Sequence, residues 1–129
     1  MVIDSSALIA VLLQQPEAAE IAQLMEADPT RLVSAGNYLE AAIVIEARRG
    51  AAGGRDLDLL LHAIRAETVG FSAEQAEVAR TAWRRYGKGR HPAGLNFGDC
   101  MAYALSKTSG EPLLFVGADF TQTDVASLR

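Results

Sequence analysis

Asp4, Glu40, Asp99 and Asp119 stand where a folded domain gains little from a charge. Asp4 closes the apolar run Met1-Val2-Ile3, and Asp119 follows Leu113-Leu114-Phe115-Val116 after only Gly117 and Ala118. Glu40 and Asp99 fall in the opening turns of two helix-like segments, Asn37 to Arg49 and Asn96 to Lys107. If the two apolar runs are parallel strands of one sheet, all four acids meet at the edge where the strands end and the helices begin. That edge is where open α/β sheets bind ligands. Two carboxylates ~4 Å apart repel by about 4 kcal/mol at an effective dielectric near 20. A group of them must therefore retain protons or hold a cation. All-oxygen ligation suits Mg2+ or Mn2+, ions that activate water and stabilise charge on a phosphodiester.

Each acid also has a structural reading. Asn37-Tyr38-Leu39-Glu40 and Asn96-Phe97-Gly98-Asp99 both have the spacing of a capping box, and the helix dipole favours an acid there in any case. Ser72-Ala73-Glu74-Gln75 caps equally well and suggests no chemistry. Asp119 suits the N-cap of a last helix, whereas Asp4 is harder to explain, because Ser5 and Ser6 beside it can already cap. From Arg80 to His91 the chain carries Arg80, Arg84, Arg85, Lys88 and Arg90 and no acid, although its net charge is −4. A solvated helix face explains any one of these; together, close before Asp99, they could hold a polyanion that the acids would repel. Carboxylates beside a basic stretch read as a nuclease.

Other chemistries lack their residues. There is no Cys/His cluster for zinc, no G-x-S-x-G elbow, and no phosphate-loop or dinucleotide fingerprint. His62 and His91 have no partner at ligand spacing, Cys100 reads as a small hydrophobe, Trp83 and Tyr86 read as core, and Arg48-Arg49 complement a helix C-terminus.

The elements that must position the acids follow from punctuation and period. A chain of 129 residues and 13.7 kDa is one domain, residues 1–129, able to bury roughly two thirds of its unfolded surface. Half the residues are hydrophobic and 22% are charged, which excludes disorder. A lone Cys100, the absence of a basic leader and an apolar stretch Ala7–Leu13 too short for a bilayer lead us to expect a cytoplasmic chain with no membrane contact. Strands are predicted at Met1–Ile3, Arg31–Ser34, Glu67–Phe71 and Leu113–Val116. Helices are predicted at Ser6–Gln14, Glu17–Ala27, Tyr38–Arg49, Asp56–Ala66, Ala73–Tyr86, Gly98–Lys107 and Phe120–Leu128. This alternation is α/β with a mainly parallel sheet. Leu8, Ile9, Val11, Leu12 and Leu13 make the first helix apolar all round, as in a helix covered on more than one side. With Ile21, Leu24, Met25 and the Leu57–Ile64 stripe, the apolar surface exceeds what four short strands can cover, which predicts interfaces.

The opening Val2-Ile3-Asp4-Ser5-Ser6-Ala7-Leu8, the segment Trp83 to Ala93, the run Leu95-Asn96-Phe97-Gly98-Asp99-Cys100 and the tail Phe115 to Phe120 resemble the PIN-domain family. More narrowly they resemble VapC-type toxins of bacterial toxin–antitoxin pairs. The resemblance covers essentially the whole chain. It implies a three-layer α/β/α domain with a central, mainly parallel sheet of four to five strands. It implies an endoribonuclease that uses Mg2+ or Mn2+, cleaves RNA, inhibits translation, forms a homodimer and is neutralised by a cognate antitoxin laid across its active site. The family's four acids match Asp4, Glu40, Asp99 and Asp119, with Asp4, Asp99 and Asp119 as metal ligands and Glu40 as a ligand or an orienter of water. Ser6, or else Ser5, matches the hydroxyl that assists the first acid, and Asp124 matches an outer acid. Arg84, Arg85, Lys88 and Arg90 would contact RNA. The family often carries Asn before its fourth acid, where this chain has Ala118. Two rival readings are an inactive PIN-like partner-binding module and a Mg2+-dependent phosphatase or receiver-like domain. Against the latter, Asp4-Ser5-Ser6 lacks a second Asp, and no Lys follows the last strand.

Overall fold

The computed structural model describes residues Met1–Arg129. In chain order the elements are β1 (Val2–Ile3), α1 (Ser5–Leu12), α2 (Ala18–Ala27), β2 (Leu32–Ser34), α3 (Ala35–Ala63), β3 (Glu67–Val69), α4 (Ala73–Tyr86), α5 (Phe97–Ser109) and β4 (Leu113–Leu114). The four strands lie in the order β3-β2-β1-β4, and every pairing is parallel. Val2 is level with Leu32 on one side and Leu113 on the other, and Ile3 with Leu114. β1 and β4 therefore end together, which is the condition for their following acids to meet.

Strand side chains alternate between faces, and here the alternation separates two cores. Met1, Ile3, Val33 and Leu114 pack with Leu8, Ile21, Met25, Ile45 and Leu57 from α1, α2 and α3. Val2, Leu113 and Phe115 pack with Ala79, Ala82, Tyr86, Ala102 and Leu105 from α4 and α5. The result is the expected α/β/α sandwich, with α1–α3 on one face and α4–α5 on the other.

Several boundaries differ from the sequence reading. The two helices predicted at Tyr38–Arg49 and Asp56–Ala66 are both present as the arms of α3 and meet in a kink at Gly50, whose φ of 62° and ψ of −152° no side-chain-bearing residue adopts comfortably. The second arm starts directly after Gly50 and not at Asp56. That element begins at Ala35, directly after β2, with Ser34 as its N-cap. Asn37 is thus inside the helix, and the expected capping box with Glu40 does not form. The box at Asn96 and Asp99 does form, and Ser72 caps α4 through the Gln75 N–H.

No helix forms over Phe120–Leu128, so Asp119 caps nothing there. Thr121 and Thr123 turn their hydroxyls onto the carbonyls of Ala118 and Phe120 at 2.7 and 2.8 Å, a local bond that competes with helix propagation. The tail instead runs beside β4: Leu113 N–H donates to Ala126 and receives Leu128 N–H on its carbonyl, at 2.8 and 3.0 Å. Trp83 is exposed rather than core, whereas Tyr86 is buried as expected. No helix is long and apolar enough to cross a membrane.

Candidate active site

Asp4 leaves β1 and becomes the N-cap of α1. Its Oδ2 accepts the Ser6 N–H at 3.0 Å, and its own N–H donates to the Leu114 carbonyl at 2.9 Å. The side chain is 3% exposed and its Oδ1 has no hydrogen-bond partner. The Ser6 hydroxyl accepts the Val116 N–H at 3.0 Å, so it ties the start of α1 to the chain leading from β4 to Asp119. Ser5 points elsewhere, donating to Glu40 Oε1 at 2.5 Å. Both serines that the sequence offered are used, one on each neighbouring acid's segment.

Asp99 is 7% exposed at the start of α5. Its Oδ2 accepts the Asn96 N–H at 3.0 Å, and Asn96 Oδ1 accepts the Asp99 N–H at 2.9 Å. Glu40, on the first turns of α3, is half-buried, and Asp119 stands exposed at the rim. Asp4, Glu40, Asp99 and Asp119, with Ser5, Ser6 and Asn96, line one open cleft of about 340 Å3. No three acids close into a ready-made ligand cage. The four carboxylates line one open space without converging on a point.

The field inside this ring is read from its buried members. Burial pushes the Asp4 carboxyl up to about 6, the Ser6 hydrogen bonds oppose the rise, and the charges of Glu40 and Asp119 add to it. Asp99 is pushed up to about 7 by burial, against the Asn96 N–H and helped by the charges of Asp4, Asp119 and Glu40. Even with backbone donors at two helix N-termini, the ring holds more negative charge than the protein alone stabilises.

The remaining sequence candidates are not all drawn in. Asp124 lies outside the cleft: Tyr103 donates to it at 2.7 Å and Lys107 pairs with it at 3.1 Å. Those two groups, with Arg85 at 3.8 Å, hold its carboxyl below the usual range. Arg85 is thereby engaged, and it also covers the Tyr86 ring at 4.9 Å. Arg90 stacks over Trp83 at 4.7 Å and donates to the Arg84 carbonyl. Arg84 and Lys88 are exposed on the segment that leads, through the Gly87–Leu95 bridge, to Asn96 on the cleft wall. Asn37 was read as a cap and is instead a buried partner of Glu40, its amide donating at 3.4 Å. The Asn-x-x-Glu spacing was the available signal, assigned to the wrong donor.

The PIN domain family profile matches residues 1–126. The chain belongs to the PIN-domain family. Among curated relatives, ribonuclease VapC30 of Mycobacterium tuberculosis is 56% identical over 128 residues, covering 99% of this chain and 98% of that protein. Ribonuclease VapC of Mycolicibacterium smegmatis is 56% identical over 129 residues, the full length of both. Two solved structures share the fold at low identity. VapC20 of M. tuberculosis, a toxin that cleaves the sarcin–ricin loop, matches with a TM-score of 0.80 at 14% identity, covering 99% of this chain and 98% of that one. VapBC2 of Rickettsia felis, bound to a DNA fragment from its promoter, matches with a TM-score of 0.75 at 15% identity, covering 99% and 96%.

The raised carboxyls of this PIN domain fix a pH dependence. Asp4 and Asp99 keep their protons to about 6 and about 7 in the folded chain, against 3.8 ordinarily. Between roughly pH 4 and pH 7 the folded state therefore binds more protons than the unfolded one, so stability falls as pH rises through that window. In EDTA the unfolding midpoint drops from about pH 5 to about pH 8; Asp99→Asn flattens this slope and is the more stable protein at the higher pH. A midpoint that rises over the same range contradicts the field described.

Proposed function

We propose that this chain is a divalent-metal-dependent endoribonuclease toxin that hydrolyses RNA phosphodiesters in the cytoplasm and inhibits translation. The observation that carries the metal is Asp4 Oδ1, a buried carboxylate oxygen at the sheet edge with no donor to satisfy it. It lines the same cleft as three further carboxylates. An oxygen-only donor set fits Mg2+ or Mn2+ and not a thiolate- or imidazole-seeking ion. The whole-length likeness to proteins named VapC ribonucleases supports RNA as the substrate.

Asp4, Asp99 and Asp119 would hold the ion. When bound, it supplies Lewis-acid stabilisation of the charge that grows on the phosphoryl oxygens and lowers the pKa of water. Glu40, braced by the Ser5 hydroxyl, orients the attacking water and takes its proton. The capping box holds Asp99 on a rigid helix start, so its oxygen keeps a fixed place through turnover. Arg84 and Lys88, free of acidic neighbours, hold the flanking phosphates of a substrate that the acids alone would repel. Arg85 and Arg90 would join them by leaving Asp124 and Trp83.

Two partners complete the reading. Phe97 is 81% exposed at the start of α5, and with Leu39, Ile43 and Met101 it borders an apolar groove along α3. A second copy of the chain would cover such a face. The Rickettsia toxin structure, a VapBC complex by its name, supports a cognate antitoxin. Its docked segment would direct an Arg or Lys at the acids, where a cation relieves the same repulsion as the metal.

Cleavage of RNA by the purified chain, freed of its antitoxin, should require Mg2+ or Mn2+ and stop in EDTA. Asp99→Asn keeps the capping geometry but loses the charge, and is expected to lower cleavage by about 100-fold or more while folding normally. The Arg84→Ala/Lys88→Ala double variant raises KM for RNA, and the cognate antitoxin abolishes cleavage in every active variant. Full activity of Asp99→Asn, or of the wild type in EDTA, contradicts the mechanism.

For the dimer, sedimentation should show two copies for the wild type and one for Phe97→Glu. A wild-type monomer removes the second copy from the account and leaves the nuclease untouched.

A further inference from the structure

Glu40 is the only member of the acid ring carried on a long flexible side chain from a helix face that also borders solvent. It lines the acid cleft and, on its other side, the apolar groove with Leu39, Ile43, Phe97 and Met101. Asn37 lies one turn earlier on α3 and is fully buried. Its amide nitrogen donates to the Gly98 carbonyl at 2.9 Å and to Glu40 Oε1 at 3.4 Å. Both partners are acceptors, so the orientation of the amide is fixed: a flipped Asn37 would lose both bonds.

Gly98 contributes by what it lacks. A Cβ built there would lie 2.6 Å from both Glu40 Oε1 and Oε2, with the Glu40 carboxyl carbon next at 2.9 Å. The carboxylate occupies the space that any other residue at this position would fill. Gly98 immediately precedes Asp99, so the same turn of α5 that presents one acid also makes room for the next.

We infer that Asn37 and Gly98 form a seat that fixes the Glu40 carboxylate in the acid cleft, and that both are positioning residues for catalysis. The inference rests on the nuclease reading for its kinetic consequence and on geometry alone for the seat. Asn37 donates from one side and ties α3 to the start of α5. The bare backbone of Gly98 receives the carboxylate from the other, and the Ser5 hydroxyl closes on Oε1 at 2.5 Å. Glu40 is thereby held where its carboxylate meets Asn37, Gly98 and Ser5.

Gly98→Ala is the cleanest test, because the atoms it meets are the end of a flexible side chain and not backbone. Ala is also a better helix former than Gly. The variant should keep or raise its unfolding midpoint while displacing Glu40. Misplacing a reacting group by about 1 Å costs up to ~100-fold, so kcat for RNA should fall by about tenfold or more with KM nearly unchanged. Asn37→Ala should lower kcat in the same way. In a Glu40→Gln background neither change should lower kcat further, because both act through Glu40. Unchanged kcat in Gly98→Ala, or losses that multiply with that of Glu40→Gln, would overturn the seat.

A stability cycle judges the seat without any RNA. Asn37→Ala should lower the unfolding midpoint less in a Glu40→Ala chain than in the wild type, because one of its two acceptors is already gone. Equal losses in the two backgrounds overturn it. A wild-type chain that cleaves no RNA counts against the nuclease reading alone and leaves this cycle to decide the seat.

Discussion

Burial of two carboxylates at one sheet edge, with the charges of two more beside them, is the constraint to which the rest of the domain answers. Parallel pairing makes β1 and β4 end level, with Ile3 opposite Leu114, so Asp4 and the segment carrying Asp119 are delivered to one place. The two-faced core then brings α3 against one side and α5 against the other, adding Glu40 and Asp99. Each buried acid is given backbone donors at a helix start, the position where the helix dipole favours an anion. Asp4 takes the Ser6 N–H and Asp99 the Asn96 N–H. That compensation is partial, because both carboxyls still sit well above their ordinary value. A folded domain with a stability of about 5–15 kcal/mol that tolerates such a cluster has been shaped for something other than stability.

The basic segment and the exposed apolar face belong to the same arrangement. Acids gathered in one cleft repel phosphates, and Arg84 and Lys88, exposed on the approach to Asn96, are the cations proposed to offset that repulsion. Arg85 and Arg90 are engaged by Asp124 and by the Trp83 ring. The apolar face formed by Phe97, Leu39 and Ile43 begins on the other side of Gly98 and Glu40. A partner seated there would lie within one helix turn of the acids.

Much of this was legible in the sequence, and the exceptions have physical causes. The ends of β1 and β2, the helix at Ala73–Tyr86 and the Asn96–Asp99 box follow from period and capping chemistry that are local in the chain, whereas β3 and β4 stop at Val69 and Leu114, short of the predicted Phe71 and Val116. An N-x-x-E pattern specifies a cap only if the helix starts there, and this helix starts at Ala35 directly after Ser34, the last residue of β2, which leaves Asn37 inside it. Phe120–Leu128 has helical composition but pairs with the free edge of β4, a tertiary reward that no local pattern encodes. Trp83 was assigned to the core by residue type, yet Arg90 covers its exposed face. Asp124 was placed by likeness to the family, whereas Tyr103 and Lys107 claim it here. The four acids were found as a set because their positions relative to strand ends and helix starts are a property of the topology. The seat that holds Glu40 depends on a missing side chain, which a sequence shows only as one more glycine.

If the four carboxylates take up one cation together, as proposed, that uptake is linked to protons. Asp4 and Asp99, pushed up to about 6 and about 7, must shed their protons for an ion to enter. Calorimetric titration with Mn2+ near pH 6, repeated in buffers of different ionisation enthalpy, counts those protons. Binding should be saturable and release about one proton or more per ion near pH 6, with both binding and release lost when Asp4 and Asp99 are changed to Asn. Binding with no proton release, or release that persists in the double variant, would contradict it.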